Sequence, residues 1–151
     1  MTRNFTILLL LLLFSSCGTI RVENYYLPEG YQGNVAIIYK NDGNETNDPQ
    51  NWTIPDDGIL RTNYKFSAGK YVTNYYQKNS RNSYDTLRHD FTIKDTTQNE
   101  IVFSRILTFS KYKSKDIFTV KTFYVGKRKV EDLEKDRFFF ERKLEEMLLE
   151  R

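Results

Sequence analysis

Residues 101–110 (IVFSRILTFS) and 117–125 (IFTVKTFYV) are the longest pair of strand-forming runs in the chain. β-branched and aromatic residues fill both runs, and these residue types suit the pleated surface of a sheet. Only the short segment 111–116 (KYKSKD) separates the two runs, and so short a connection favours antiparallel pairing. The sequence therefore predicts that this pair is the spine of a β-sheet.

Alternation within the first of these runs separates two sets of side chains. Phe103, Leu107 and Phe109 share one face with Arg105, whereas Val102 and Ile106 lie on the other. Because both faces carry apolar residues, we expect other parts of the chain to cover both faces in part.

Shorter strand-forming runs recur upstream, at 33–39, 59–66, 71–77 and 84–93, with turn residues between them. His89 lies on the apolar face of the last run. The pattern predicts a mainly β fold, an antiparallel sandwich-like domain of about six or seven strands.

The pattern changes to a helical period after Gly126. The apolar residues follow one side of a predicted amphipathic helix over 130–151, with Phe138 and Phe139 broadening that side. Acidic residues on its polar side disfavour an anionic membrane surface, so we expect the helix to dock on the β domain. The apolar stripe consists of Val130, Leu133, Phe140, Leu144 and Met147.

Two turn motifs lie in the first half of the chain, LPEGYQGNVAIIY at 27–39 and IPDDGIL at 54–60. In the second motif Pro55 presets the first turn position, and Gly58 accepts the positive φ that closes such turns. The second motif is typical of a β-hairpin.

Together, LPEGYxGxVxIxY and IPxxGIL resemble a family of small secreted or lipidated bacterial domains that carries only a domain-of-unknown-function label. The resemblance covers about residues 27–77. It implies an extracytoplasmic domain and supplies no activity and no catalytic residue.

The N-terminus carries a secretion signal. The apolar run 5–14 follows Arg3 and is too short to span a bilayer. The segment 14–17 (FSSC) resembles a bacterial lipobox, which implies cleavage before Cys17, diacylglycerol on its sulfur and acylation of the new N-terminus. We expect a signal peptide over 1–16, a lipidated tether over 17–26 and a single domain over 27–151.

The membrane is therefore the first expected partner, through the lipid on Cys17. The residues after Cys17 lack the Asp that retains many lipoproteins in the inner membrane, and they lack the acidic run that marks surface export. By resemblance to those sorting signals, we expect an outer-membrane lipoprotein that faces the periplasm.

Charge and composition exclude several functions. The chain has 23 basic and 20 acidic residues, and loss of Arg3 with the signal leaves 22 minus 20, or +2, which does not indicate nucleic-acid binding. Cys17 is the single cysteine. The polar loop 41–50 (NDGNETNDPQ) lacks the spacing of an EF-hand, so we expect no metal and no cofactor.

The sequence is compatible with more than one class of function. We expect a binding or structural module rather than an enzyme, with an envelope protein or a glycan as its partner. The alternative is a small hydrolase-like enzyme with carboxylate chemistry at Asp56 and Asp57 or at Asp85 and Asp90, because His89 is better explained by packing.

A glycan would stack on exposed aromatic rings, whose faces are apolar and whose edges are polar. Ordinary strand packing is the alternative for each of these rings. The candidate rings are Trp52, Tyr71, Tyr75 and Tyr76.

Overall fold

The computed structural model describes residues 20–44, 51–89, 100–110, 117–127 and 130–149. Within these ranges, eight strands precede one helix. They are β1 (Arg21–Leu27), β2 (Gly33–Asn44), β3 (Asn51–Thr53), β4 (Ile59–Tyr64), β5 (Tyr71–Lys78), β6 (Tyr84–His89), β7 (Glu100–Ser110), β8 (Ile117–Gly126) and α1 (Val130–Leu149).

The strands follow the order β3-β1-β5-β6-β7-β8-β2-β4. The antiparallel pair β7 and β8 extends from Glu100 beside Gly126 to Ser110 beside Ile117, with a register shift between Ile101 and Phe103. This confirms the predicted spine. Only a short parallel pairing joins β6 to β7, at Arg88 beside Glu100 and His89 beside Ile101, so the sheet consists of two halves.

The inner faces of these two halves enclose the main core. One half, β3-β1-β5-β6, contributes Tyr25, Trp52 and Tyr75, and the other half contributes Val35 and Phe123. The rings of Tyr25 and Phe123 lie 5.5 Å apart across the interior. The domain is therefore sandwich-like, as predicted.

Strand β2 is buried on both faces, and its sequence explains why. Val35, Ile37 and Tyr39 point into the core between the two halves, whereas Ala36 and Ile38 point to the opposite side, where α1 lies. A strand covered on both faces has a continuous apolar sequence rather than an alternating one.

The helix docks on the outer face of the second half, as predicted. Leu144 and Leu148 are buried against Ala36, Ile38 and Val120, and each buried leucine contributes roughly 1.5–3 kcal/mol. An ion pair joins the helix to the sheet, with Arg105 Nη1 3.3 Å from Glu141 Oε1.

Phe138 and Phe139 do not broaden the buried side of this helix. They are 64% and 57% exposed, and their rings contact each other. Both rings lie largely in solvent, so the prediction that they extend the apolar face was wrong.

The prediction of an antiparallel sheet was only partly correct, because the sheet is mixed. Antiparallel pairs are β2 with β8, β5 with β6 and β7 with β8. Parallel pairs are β1 with β3, β1 with β5, β2 with β4 and β6 with β7. Alternation predicts a strand, but it does not specify which strand lies beside it.

The motif at 54–60 forms its turn but not a hairpin. Gly58 N donates to Pro55 O at 2.9 Å, with φ of 75° at Gly58. The chain on each side is held by a different strand, since Ile54 N donates to Tyr26 O on β1 and Ala36 N on β2 donates to Gly58 O. These bonds direct β3 and β4 to opposite edges of the sheet.

The sequence suggested that residues 21–26 belong to a tether. They instead form part of strand β1. Glu23, Tyr25 and Leu27 are buried, and Asn24 and Tyr26 alternate with them. The folded domain therefore extends at least to Arg21, six residues before the predicted boundary. The signal peptide and Cys17 lie outside the described residues.

Candidate functional site

A five-residue repeat organises the first half of the sheet. The pattern Val-x-Asn-Tyr-Tyr occurs at 22–26 and again at 72–76. Strands β1 and β5 pair in parallel, so each residue of the repeat lies beside its counterpart. The pairs are Val22 with Val72, Asn24 with Asn74, Tyr25 with Tyr75 and Tyr26 with Tyr76.

Side chains alternate between the two faces of a strand, so the two tyrosines of each repeat point in opposite directions. Tyr25 and Tyr75 stack in the core with ring centroids 5.5 Å apart. Tyr26 and Tyr76 stack on the outer face with centroids 5.1 Å apart. The same pair of residues thus builds the interior on one side and a surface on the other.

Asparagines cross the outer face as a hydrogen-bonded ladder, which we call the asparagine ladder. Asn74 Nδ2 donates to Asn24 Oδ1 at 2.9 Å, and Asn24 Nδ2 donates to Asn51 Oδ1 at 2.9 Å. The ladder spans three strands, or roughly 10 Å at the usual strand spacing. It holds amide groups in fixed positions on a surface open to solvent.

Tyr26, Tyr76 and Tyr84 form the tyrosine cluster beside this ladder. Tyr84 meets Tyr26 edge to face, with centroids 5.0 Å apart, and is 46% exposed. Tyr26 OH lies 3.5 Å from Asn51 Oδ1, so the cluster and the ladder are continuous. Aromatic rings and amides on one surface are suited to ligands with both apolar faces and hydroxyl groups.

A groove of about 420 Å³ begins at this cluster. Tyr26 and Tyr84 form part of its wall, and Glu29, Asp56 and Lys78 add two carboxylates and an ammonium group. Its size falls within the range of small-molecule and ligand sites. The groove and the two polar features beside it constitute the candidate binding face.

A second polar arrangement lies inside the domain. Lys121 Nζ donates to Glu23 Oε2 at 2.7 Å and to Tyr25 OH at 3.0 Å, while Tyr25 OH donates to Glu23 Oε2 at 2.8 Å. We call these three residues the ionic cluster. Burial above all, and then the neighbouring Tyr39 and Glu23, raise the pKa of Tyr25 well above its ordinary value.

The ionic cluster joins the two halves of the sheet, since Glu23 and Tyr25 belong to β1 and Lys121 belongs to β8. Both charged side chains are buried, and a buried charge needs a partner that satisfies it. We interpret this cluster as structural because each of its charged groups is satisfied by the other two members.

The four rings predicted to bind glycan do not form one surface. Trp52 and Tyr75 are 5% and 1% exposed in the core, so neither can offer a ring face to a ligand. Tyr71 lies at the other end of β5, where its hydroxyl donates to Ser67 O. Tyr76 alone belongs to the candidate binding face.

Sequence reasoning missed Tyr26 and Tyr84. The repeat at 22–26 and 72–76 was the signal for Tyr26. If the two copies pair in parallel register, Tyr26 lies beside Tyr76 and on the same face of the sheet. Tyr84 follows no such pattern, since its place beside Tyr26 depends on the β5–β6 turn.

Of the groups considered for catalysis, Asp57, Asp85 and His89 make structural contacts, whereas Asp56 lines the groove. Asp57 Oδ1 accepts a hydrogen bond from Ile59 N, and Asp85 Oδ1 accepts one from Asn79 Nδ2. The ring of His89 packs edge to face on Tyr75, with centroids 5.2 Å apart, as the packing interpretation predicted. Asp90 lies outside the described residues.

The polar loop considered for calcium lies only partly within the described residues, since 45–50 fall outside them. In the described part of the chain, no group of three His, Cys, Asp or Glu residues is placed to hold a metal ion. The same part contains no helix that is long and apolar enough to cross a membrane.

No family model matches the chain, and the search of curated proteins finds no match. Among solved structures, the chain is similar to a 2.75 Å crystal structure of a Bacillus anthracis protein inferred to be a lipoprotein. That likeness has 19% identity and a TM-score of 0.49, and covers 71% of each chain.

Proposed function

We propose that this protein is a lipid-anchored lipoprotein of the bacterial cell envelope whose domain binds a partner through the tyrosine cluster and the asparagine ladder. The anchor is the lipid on Cys17, and the expected location is the outer membrane on its periplasmic side. The lipobox-like FSSC at 14–17 supports the anchor.

The outer face of β1 and β5 carries this proposal. Its residues recur in both strands, and Tyr26, Tyr76 and Tyr84 stack there with their rings partly open to solvent. Exposed aromatic rings held in place by neighbouring rings lose little conformational entropy when a ligand binds. The amide groups beside them supply fixed donors and acceptors.

A glycan is the ligand class that this face suits best. Sugar rings present C–H faces that pack on tyrosine and hydroxyl groups that pair with amides. The asparagine ladder still offers Asn51 Nδ2 at one end and Asn74 Oδ1 at the other, since neither atom has a partner among the described residues. An envelope protein is the competing ligand.

The anchor is tested by labelling cells with radioactive palmitate and fractionating their membranes. We expect Cys17→Ala to abolish the label and to release the protein from the membrane fraction, because one lipidated residue provides the anchoring. Equal labelling of the wild type and the variant would contradict the anchor.

The binding face is tested by sedimentation of the lipidated protein, in detergent, with purified cell-wall glycan, alongside a pull-down from detergent-solubilised envelope. We expect the variant Tyr26→Ala/Tyr76→Ala/Tyr84→Ala to weaken glycan binding at least roughly tenfold, as the loss of a central aromatic contact does.

The matched control is Phe138→Ala/Phe139→Ala, which removes exposed rings from the helix instead. This control should bind as the wild type does. Unchanged glycan binding by the tyrosine variant would overturn the glycan proposal, whereas loss of an envelope protein from the pull-down would identify the competing ligand.

A further inference from the structure

The end of β1 and β5 opposite the groove exposes aliphatic side chains. Ile20 is 62% exposed, Val72 is 48% exposed and Val22 is 39% exposed. Val22 and Val72 are neighbours in the register of the two strands, and Ile20 precedes β1 directly. Contiguous exposed apolar side chains are a feature of surfaces that contact proteins or membranes.

Three basic residues lie at the same end of the domain as this apolar group. Arg21 and Lys65 line a groove of about 340 Å³ with Phe66 and Ser67, and Arg21 N donates to Lys70 O at 3.1 Å. All the charged residues within 20–22 and 65–72 are basic. We call Ile20, Arg21, Val22, Lys65, Lys70 and Val72 the tether-side patch.

The anchor lies very close to this patch in the chain. Cys17 precedes Arg21 by four residues, which span at most about 14 Å even when fully extended. Strand β1 alone is longer than that, at roughly 20 Å for its seven residues. A lipid on Cys17 would therefore hold this end of the domain near the bilayer and leave the groove at the far end.

We infer that the tether-side patch is a membrane-contact surface, which rests on an anionic lipid leaflet and holds the tyrosine cluster farther from the leaflet, toward the opposite end of β1 and β5. This inference rests on the proposed lipid anchor. The positive charge of the basic groups is attracted to the anionic headgroups, and Ile20, Val22 and Val72 enter the interface between headgroups and acyl chains. The anchor supplies affinity, and the patch supplies orientation.

The inference is tested with the full lipidated protein in vesicles. One variant carries Val72→Cys in the patch, and the matched variant carries Ser80→Cys in the exposed turn after β5, roughly 25 Å away along the strand. Because acylation blocks the thiol of Cys17, a fluorophore labels the introduced cysteine alone. Vesicles contain phosphatidylglycerol or only phosphatidylcholine, with brominated acyl chains as the quencher.

We expect strong quenching of the probe at position 72 and little quenching at position 80. Quenching at position 72 should increase with phosphatidylglycerol, and Arg21→Gln/Lys65→Gln/Lys70→Gln should abolish that increase while the protein still sediments with the vesicles. Equal quenching at both positions, or no quenching at position 72 in sedimented protein, would overturn the inference and leave the anchor intact.

Mass spectrometry of the same samples separates failure of the anchor from failure of the patch. Absence of the acyl chains would overturn the anchor, and with it this inference. Acylated protein that shows the same quenching in both kinds of vesicle would contradict the role of the basic residues in the patch.

Discussion

Tyr75 and Tyr76 are neighbours in the chain, and each stacks on the corresponding tyrosine of β1, yet the two pairs have different surroundings. The pair Tyr25 and Tyr75 lies in the core with Phe123, whose ring centroid is 4.9 Å from that of Tyr75. The pair Tyr26 and Tyr76 lies on the outer face beside the asparagine ladder.

The difference between the two pairs shows how one repeat serves two purposes. Inside, aromatic area removed from water stabilises the fold. Outside, the same stacking leaves each ring partly open to solvent, where it adds little stability and is free to contact a ligand. We therefore expect substitutions of inner residues to change stability and substitutions of outer residues to change binding.

The largest effect should follow from breaking the ionic cluster inside. Lys121→Met leaves the carboxylate of Glu23 buried without its cation, which typically costs about 3–5 kcal/mol. Chemical denaturation should show this loss in the free energy of unfolding. Adding Glu23→Gln removes the uncompensated charge and keeps an acceptor for Tyr25 OH, so the double variant should recover most of the stability. A double variant as unstable as Lys121→Met would contradict this role.

The helix offers a second contrast between inner and outer residues. Leu144 is fully buried under the sheet, so Leu144→Ala should lower the free energy of unfolding by about 2–5 kcal/mol. Phe139→Ala removes a larger but exposed side chain and should change it by less than about 0.5 kcal/mol. Equal losses would mean that α1 does not depend on its buried face.

Substitution of a turn glycine should lower the free energy of unfolding by a smaller amount. Gly58 has φ of 75°, and a Cβ there would meet Tyr31 OH and would lie 2.7 Å from Asn34 O. Gly58→Ala should therefore cost about 1–3 kcal/mol. At Gly69 an added Cβ would meet only ordinary contacts with the Tyr71 ring, at 3.6 Å or more, so Gly69→Ala is the control and its thermal midpoint should match the wild type.

The smallest expected change in stability occurs at alkaline pH. Burial above all, with the charge of Asp57 and the phenol of Tyr124, raises the pKa of Tyr31 to about 12, and Tyr31 OH donates to Asn34 O at 2.6 Å. The folded state holds this proton more tightly than the unfolded state does. The contribution of Tyr31 to stability is therefore complete below about pH 10 and is lost as the pH rises through about 12.

Urea midpoints measured at rising pH should therefore fall above about pH 10, and the fall should be smaller in Tyr31→Phe, which cannot ionise. Tyr25, whose pKa is also raised, contributes in the same direction in both proteins. A Tyr31→Phe variant with an unchanged pH profile would contradict the assignment to Tyr31.

The sequence was sufficient to predict elements whose signal is local. Strands β7 and β8, the turn at Gly58 and the docked helix follow from alternation, turn chemistry and helical period within a few residues of each position. Strand β1 also contains strand-forming residues, Val22, Tyr25 and Tyr26, but the buried Glu23 and the exposed Val22 break its alternation. Its position shortly after the lipobox-like segment 14–17 favoured the interpretation as a tether.

The pairing of the strands could not be predicted in the same way. Residues of β1 and β5 are fifty positions apart, and their parallel register depends on the whole sheet. Without that register, Tyr75 and Tyr76 were equally good candidates for a binding surface. The buried pair of Glu23 and Lys121 could not be predicted either, because the sequence of each strand alone suggests that its charge faces solvent.

The most direct test of the division between the two faces is the urea unfolding of Tyr75→Ala and Tyr76→Ala, measured side by side. We predict that Tyr75→Ala loses about 3–5 kcal/mol, as large aromatic residues do when they are removed from a core. Tyr76→Ala should lose less than about 1 kcal/mol. Equal losses, or a larger loss for Tyr76→Ala, would show that the outer pair holds the fold and would contradict its assignment as a binding surface.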